Sequence, residues 1–191
     1  KLYKHKLENP PESGSIIVPT GAIQCFRGVG LIDIKTDESL DFATSDLPGG
    51  ISVYWRNIDG RFPNYNAIIP KVEDAEITAV LDKKELVRAI NSGLAVCNKT
   101  TYIIGFSFSR GDKMVASTND PDLGNSFSGE VGVKYPKKNP AETMRIGFNM
   151  RFLKQVLREI PDSEITVSLF APNQAALFSE EFLIMPVMLD N

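Results

Sequence analysis

The chain has 191 residues, 42% of them hydrophobic and 24% charged, with a net charge of -3. That is apolar material for one large or two smaller domains, and the overall acidity excludes a nucleic-acid binder that works by whole-chain charge. No apolar run approaches the ~20 residues of a membrane-spanning helix. The basic N-terminus "KLYKHKLENPPESG" carries no apolar stretch of the kind a secretory signal needs, so the sequence reads as cytoplasmic, with Cys25 and Cys97 as two buried free thiols.

The first predicted elements are a short β-branched run, "SGSIIVP", and a helix-capable "TGAIQCFRG" starting near Thr20. Three strand-like runs follow, "LIDIKT", "SLDFAT" and "GISVYWRNI", with Asp, Gly and Pro between them. Next comes "DGRFPNYNAIIP", from Asp59 to Pro70. Two prolines keep it out of a helix interior or central strand, and its apolar residues do not suit a solvated linker. "AEITAVL" then alternates like a strand and leads into a helix over Lys83 to Leu94. Asp82 is its predicted N-cap, with Glu85 at the capping-box spacing. The strand runs "TYIIGFSFS", "DKMVAST" and "SFSGEVGVKY" follow. The last round is "ETMRIGFN", a helix from Met150 to Ile160 capped by Asn149 and stopped by Pro161, then "EITVSLFA", "QAALFSE" and "EFLIMPVML".

The chain thus repeats one pattern, a strand, a helix and three strands, at a spacing of roughly 65 residues, longer than common solenoid repeats. Strand-rich units with one helix each predict an α+β fold, with helices gathered on one face of largely antiparallel sheets. In the last helix Leu153, Val156, Leu157 and Ile160 form an apolar stripe, and Arg151, Lys154 and Arg158 a basic one. In the middle helix Leu86, Ile90 and Leu94 face inward, while Lys83, Lys84 and Arg88 face out. Arg27 adds a positive charge to the first helix. These basic faces are compatible with ordinary solvated surface or with a diffuse, sequence-independent phosphate-binding layer.

Catalytic signatures are missing. His5 is the one histidine, and no nucleophile elbow, P-loop, dinucleotide fingerprint or zinc-protease motif is present. Cys97 has no histidine near it in sequence, and Asp120 and Asp122 lack the spacing of a calcium loop. Besides the Asp59–Pro70 stretch, the methionine-rich "FLIMPVMLDN" is the other unusual apolar segment. It fits either a strand buried on both faces or an adaptable binding surface.

"HKL" (His5 to Leu7), "SIIVP", "DGRFPNYNAIIP", "IGFNMRFLKQVL" (Ile146 to Leu157) and the terminal "LIMPVML" resemble, in order and spacing, the bacterial DNA polymerase III beta subunit, the sliding clamp. Together they span the whole chain. The resemblance implies a DNA-clamp (processivity-fold) architecture, with residues 1–70 as the C-terminal half of a clamp middle domain and 71–191 as the clamp C-terminal domain. It implies a non-catalytic processivity subunit without cofactor or metal. Its partners would be duplex DNA, contacted weakly and non-specifically, and DNA polymerase, clamp-loader and repair proteins that carry short peptide motifs. Carried over by position, the partner-peptide groove would comprise His5, Lys6, Leu7, Pro63, Ile68, Ala175, Leu183, Met185, Pro186, Val187 and Leu189. The DNA-facing set would be Arg27, Lys83, Lys84, Arg88, Arg151, Lys154 and Arg158, and Ala95 and Val96 would be equivalent to the family's ring-closing surface. The family's first domain has no counterpart here, so its homodimeric ring is not expected of this chain by itself. Lys4, Ala67 and Met188 replace residues usual in the family, and Asp190 and Asn191 extend its usual end. An α+β enzyme with an unrecognised active site and a self-associating structural protein are the rival readings.

Overall fold

The structure, a computed structural model, describes residues 15–30, 32–61, 64, 67–137 and 139–189. The chain divides between residues 65 and 66 into two units, each with its own core.

The first unit holds α1 (Thr20–Cys25) and a three-stranded antiparallel sheet of β1 (Lys35–Thr36), β2 (Phe42–Leu47) and β3 (Ile51–Arg56) in that order. β2 and β3 are joined through Pro48, Gly49 and Gly50, and both glycines take the left-handed φ the tight connection needs (88° and 76°). Its small core is Ala22, Ala43 and Trp55, with Phe26 edge-on to Trp55 at 5.7 Å. The indole N–H donates to Asn57 Oδ1 (2.9 Å), and Asn57 Nδ2 donates to the Leu40 carbonyl (2.7 Å), so the indole and the carboxamide are paired, whereas the buried Thr44 and Ser45 hydroxyls of β2 are not.

Three expectations need correction here. "SIIVP" is not a strand, although the Ile17 carbonyl accepts from the Ile58 N–H at 2.8 Å. Of "LIDIKT" only the last two residues, Lys35 and Thr36, pair with β2; Asp37 then turns the chain, its carboxylate accepting from Ser39 Oγ (2.6 Å) and the Phe42 N–H (3.0 Å). The Ser39 hydroxyl, then the Phe42 amide, hold that carboxyl below its ordinary pKa. Cys25 is exposed, because it sits on a short helix that buries only Ala22.

The second unit holds β4 (Ile77–Asp82), α2 (Lys83–Val96), β5 (Ile103–Phe108), β6 (Lys113–Asp120), β7 (Asn125–Lys134), β8 (Met144–Asn149), α3 (Met150–Glu159), β9 (Glu164–Leu169), β10 (Ala176–Phe178) and β11 (Phe182–Ile184). All pairings in its sheet are antiparallel, in the order β11-β10-β9-β4-β7-β6-β5-β8. Beyond β11 a single bridge, Val187 to Gly147, joins the two ends of that order.

Two copies of one pattern make this unit, β4-α2-β5-β6-β7 and β8-α3-β9-β10-β11. Each copy lends its first strand to the other: β4 lies against β9, and β8 against β5. The capping residues fix the correspondence. Asp82 Oδ1 accepts from the Glu85 N–H (2.9 Å), and Asn149 Oδ1 from the Arg151 N–H (2.9 Å). The expected capping box is only half formed, since the Glu85 carboxylate turns to β7 and accepts from the Gly132 N–H at 2.9 Å.

Leu86 and Ile90 of α2 and Leu153, Val156, Leu157 and Ile160 of the α3 segment are buried against the sheet, as the stripes predict. Beneath them four phenylalanines, Phe108, Phe106, Phe148 and Phe178, follow one another with ring centroids 5.8–6.5 Å apart. No helix among the described residues is long and apolar enough to cross a membrane.

Candidate functional site

The N-cap geometry of α3 sets the direction in which its first turn points. With Leu153, Val156 and Leu157 facing the sheet, Phe152 is left 60% exposed on the flank of the helix. Facing it is the stretch that follows β11. Pro186 has no N–H to extend a ladder, so the strand stops at Ile184, and the chain reaches β8 only through the Val187 N–H, which donates to the Gly147 carbonyl at 2.8 Å. Phe152, Gln155 and Val156 on one side and residues 182–187 on the other enclose a cleft of about 560 Å³. Asn149 lies at its end, with Oδ1 capping the helix and Nδ2 donating to the Thr101 carbonyl (3.0 Å). Apolar walls with one exposed carboxamide, Gln155, suit a ligand that buries large apolar side chains and makes few polar contacts.

The other copy of the repeat has its own cleft at the equivalent place. Counting from the caps, Glu85, Arg88 and Ala89 occupy the positions of Phe152, Gln155 and Val156, and β7 that of the β11 segment. This cleft of about 500 Å³ is charged. Glu85 is bound to Gly132, and Lys113 pairs with Glu130 at 2.5 Å, a hydrogen bond and charge that hold the lysine above its ordinary pKa. The duplication gives both clefts their shape, but charged side chains share the α2 cleft with Ala89 and Phe127, whereas no charged residue lines the α3 cleft.

Of the residues the sequence assigned to a groove, the structure brings Leu183, Met185, Pro186 and Val187 together in the α3 cleft. His5, Lys6, Leu7 and Pro63 lie outside the described residues. Ile68 is exposed and not in its lining, and Ala175 is buried ahead of β10. Leu189 points elsewhere, onto β5 and β8. Phe152 was missed by the sequence reading. Its signal was an aromatic residue standing outside the apolar stripe of a helix, a place that ordinary core packing does not explain.

The basic residues divide into two sets. Arg27, Lys84, Arg88 and Arg158 are exposed. The others are tied down. Half-buried Lys83 donates from Nζ to the Ile160 carbonyl and Lys154 Nζ to Asn91 Oδ1 (2.8 Å), both linking α2 to α3. The Arg151 guanidinium lies 3.6 Å from the Tyr102 ring centre and donates to its hydroxyl. All of these partners are neutral groups. Ala95 is exposed and Val96 half-buried at the end of α2, where Lys99 Nζ donates to the Leu94 and Ala95 carbonyls.

Asp120 and Asp122 are engaged with Asn98, whose Nδ2 donates to both (3.3 and 3.0 Å), so they pin the β6–β7 hairpin to the end of α2. Among the described residues no group of three or more His, Cys, Asp or Glu is placed to hold a metal.

No family model matches the chain. In sequence it is 24% identical over 146 residues to the beta sliding clamp of Synechocystis, covering 71% of this chain and 35% of that protein. It is 26% identical over 163 residues to that of Lactococcus lactis, covering 84% of this chain and 42% of that one. The chain therefore spans well under half the length of these curated relatives. A DNA polymerase III subunit beta sliding clamp from Bartonella birtlesii superimposes with a TM-score of 0.77 at 21% identity, over 96% of this chain and 54% of that one. The sliding clamp of Pseudomonas aeruginosa, in a structure bound to griselimycin, superimposes at 0.76 and 22% identity, over 97% and 50%. The fold is that of the sliding clamps, antiparallel sheets carrying a few helices.

Proposed function

Since this chain is a partial homologue of the bacterial beta sliding clamps and carries their fold, we propose that it serves as a non-catalytic, clamp-type binding module of DNA replication in the cytoplasm. Residues 1–70 would be the C-terminal half of a clamp middle domain and 71–191 a clamp C-terminal domain. The α3 cleft receives short peptide segments of polymerase, clamp-loader and repair proteins. The observation that carries this is the exposed Phe152 facing Met185, Pro186 and Val187 across an apolar cleft, while the duplicate cleft is charged.

A fluorescein-labelled pentapeptide with one Gln, one Leu and one Phe is expected to bind with about micromolar Kd. Phe152→Ala and Met185→Ala are each expected to weaken it about tenfold, as loss of a central apolar anchor does. Fluorescence polarisation checks this. Equal affinity for wild type and both variants would show that the peptide sits elsewhere.

Duplex DNA is the second partner, met by the helix layer through its phosphates. The exposed cations are the ones to change, because reversing Lys83 or Lys154 would also cut the ties between α2 and α3. Reversal of Lys84, Arg88 and Arg158 to Glu is expected to cost several-fold in affinity at low ionic strength and to flatten the salt dependence. Unchanged binding to a fluorescent duplex at 50 mM salt, within the range over which such contacts are salt-sensitive, would remove the helix layer as a DNA face.

A further inference from the structure

Leu189 lies beyond the cleft, yet the strand pair beneath it is shaped for it. In the β5–β8 ladder Gly105 stands directly opposite Gly147. A Cβ on Gly147 would come within 2.7 Å of Leu189 Cδ2 and 2.6 Å of the Val187 carbonyl oxygen, and one on Gly105 within 3.2 Å of Leu189 Cδ1. Two buried glycines in strand interiors cost stability unless something approaches their backbone closely. Here the isobutyl group of Leu189 fills the hollow they leave. The same chain segment is stitched to β8 two residues earlier, by the Val187 N–H to Gly147 carbonyl bond.

The duplicated half shows that the hollow is not imposed by the fold. At the equivalent place, two residues before the N-cap of α2, Val80 stands opposite Thr166. The paired glycines therefore occur in the copy that carries the apolar cleft and not in the copy whose cleft is charged.

From this geometry we infer that Leu189 is a positioning residue for the peptide cleft. Seated in the Gly105–Gly147 hollow, it fastens the chain past β11, and so fixes Met185, Pro186 and Val187 as a rigid wall opposite Phe152. Pro186 ends the ladder at Ile184, so without this anchor the wall hangs on one bridge. Leu189 itself touches no ligand. The inference rests on the cleft being the peptide site.

The test combines amide hydrogen exchange over residues 185–189 with polarisation of the labelled pentapeptide, on the whole chain. Leu189→Ala is expected to speed exchange at Val187 and to weaken the peptide about tenfold, while Leu189→Met, which can refill the hollow, restores both to within about twofold. Gly147→Ala, acting from the opposite side, is expected to reproduce Leu189→Ala. Unchanged protection of Val187 in Leu189→Ala overturns the inference whatever the peptide does. Faster exchange with wild-type affinity overturns the positioning role and leaves the cleft standing, provided Phe152→Ala still loses the peptide. A wild type that binds no peptide overturns the cleft reading itself, and the positioning role with it.

Discussion

Phe148→Ala is expected to remove about 3–5 kcal/mol of folding stability and to lower the thermal midpoint by roughly 10 °C, without unfolding the first unit. Phe148 is fully buried, with Phe106 at 5.9 Å on one side and Phe178 at 5.8 Å, near edge-on, on the other. Those neighbours come from β5 and β10, which lie far apart in the strand order. One ring thus ties the two ends of the sheet across the core, beneath the place where Val187 reaches Gly147. Truncation removes the transfer contribution of a benzyl group and two aromatic contacts worth about 0.5–1.5 kcal/mol each. It also leaves a cavity in a close-packed interior that collapses only partly. Phe152→Ala is the matched control. Its ring is 60% exposed, so the same chemical change is expected to alter stability by no more than about 0.5 kcal/mol while the peptide binds about tenfold more weakly. Differential scanning calorimetry of both variants separates a core phenylalanine from a functional one. A loss below about 1 kcal/mol for Phe148→Ala would mean that the ring is not enclosed as described.

What was legible in the sequence was what is local. Asp82 and Asn149 announce the starts of α2 and α3 because a cap bonds amides two or three residues along the same chain. The burial of Leu153, Val156 and Leu157 follows from helical spacing alone. The clamp-like segments at Ile146–Leu157 and the chain end marked both walls of the α3 cleft, although only one wall was named. Pairings between distant segments were not legible. Glu85 satisfies the capping-box spacing, but the Gly132 amide, 47 positions away, takes its carboxylate. The Gly105–Gly147 hollow needs the β5–β8 register before either glycine means anything. The β10–β11 hairpin turns through Ser179 and Glu180 at φ 48° and 61°, left-handed positions held by residues that give no glycine signal.

The duplication explains why one cleft is a candidate site and the other is not. Both copies need a helix seated on the sheet and a third strand closing beside it, so both acquire a groove along the helix flank. In the α2 groove Glu85 fastens the helix to β7 through the Gly132 N–H, and Lys113 with Glu130 ties β6 to β7. The α3 groove forgoes that fastening. Its wall must then be held from outside the groove, which is the part given above to Leu189.

Gly93→Leu is expected to cost about 3 kcal/mol or more, whereas Gly93→Ala is expected to be nearly neutral. A glycine inside α2 lowers helix stability by about 1 kcal/mol relative to alanine, so its place there needs a packing reason. A Cβ at Gly93 would meet Met150 Sδ at 3.1 Å, Thr118 Cγ2 at 3.3 Å and Ile104 Cδ1 at 3.4 Å. Those atoms come from α3, β6 and β5, so at Gly93 α2 lies close against three other elements. A methyl group crowds a flexible thioether by a few tenths of an ångström, and the gain in helix propensity offsets it. An isobutyl group does not fit beside those three atoms without displacing them. It must push α2 outward, loosening the Lys154–Asn91 link and the bond from Lys83 to the Ile160 carbonyl at the end of α3, and so disturb the helix layer proposed above to meet DNA. Urea unfolding reads the difference as a lowered midpoint at unchanged slope. Wild-type stability in Gly93→Leu would show that α2 is not seated at this distance.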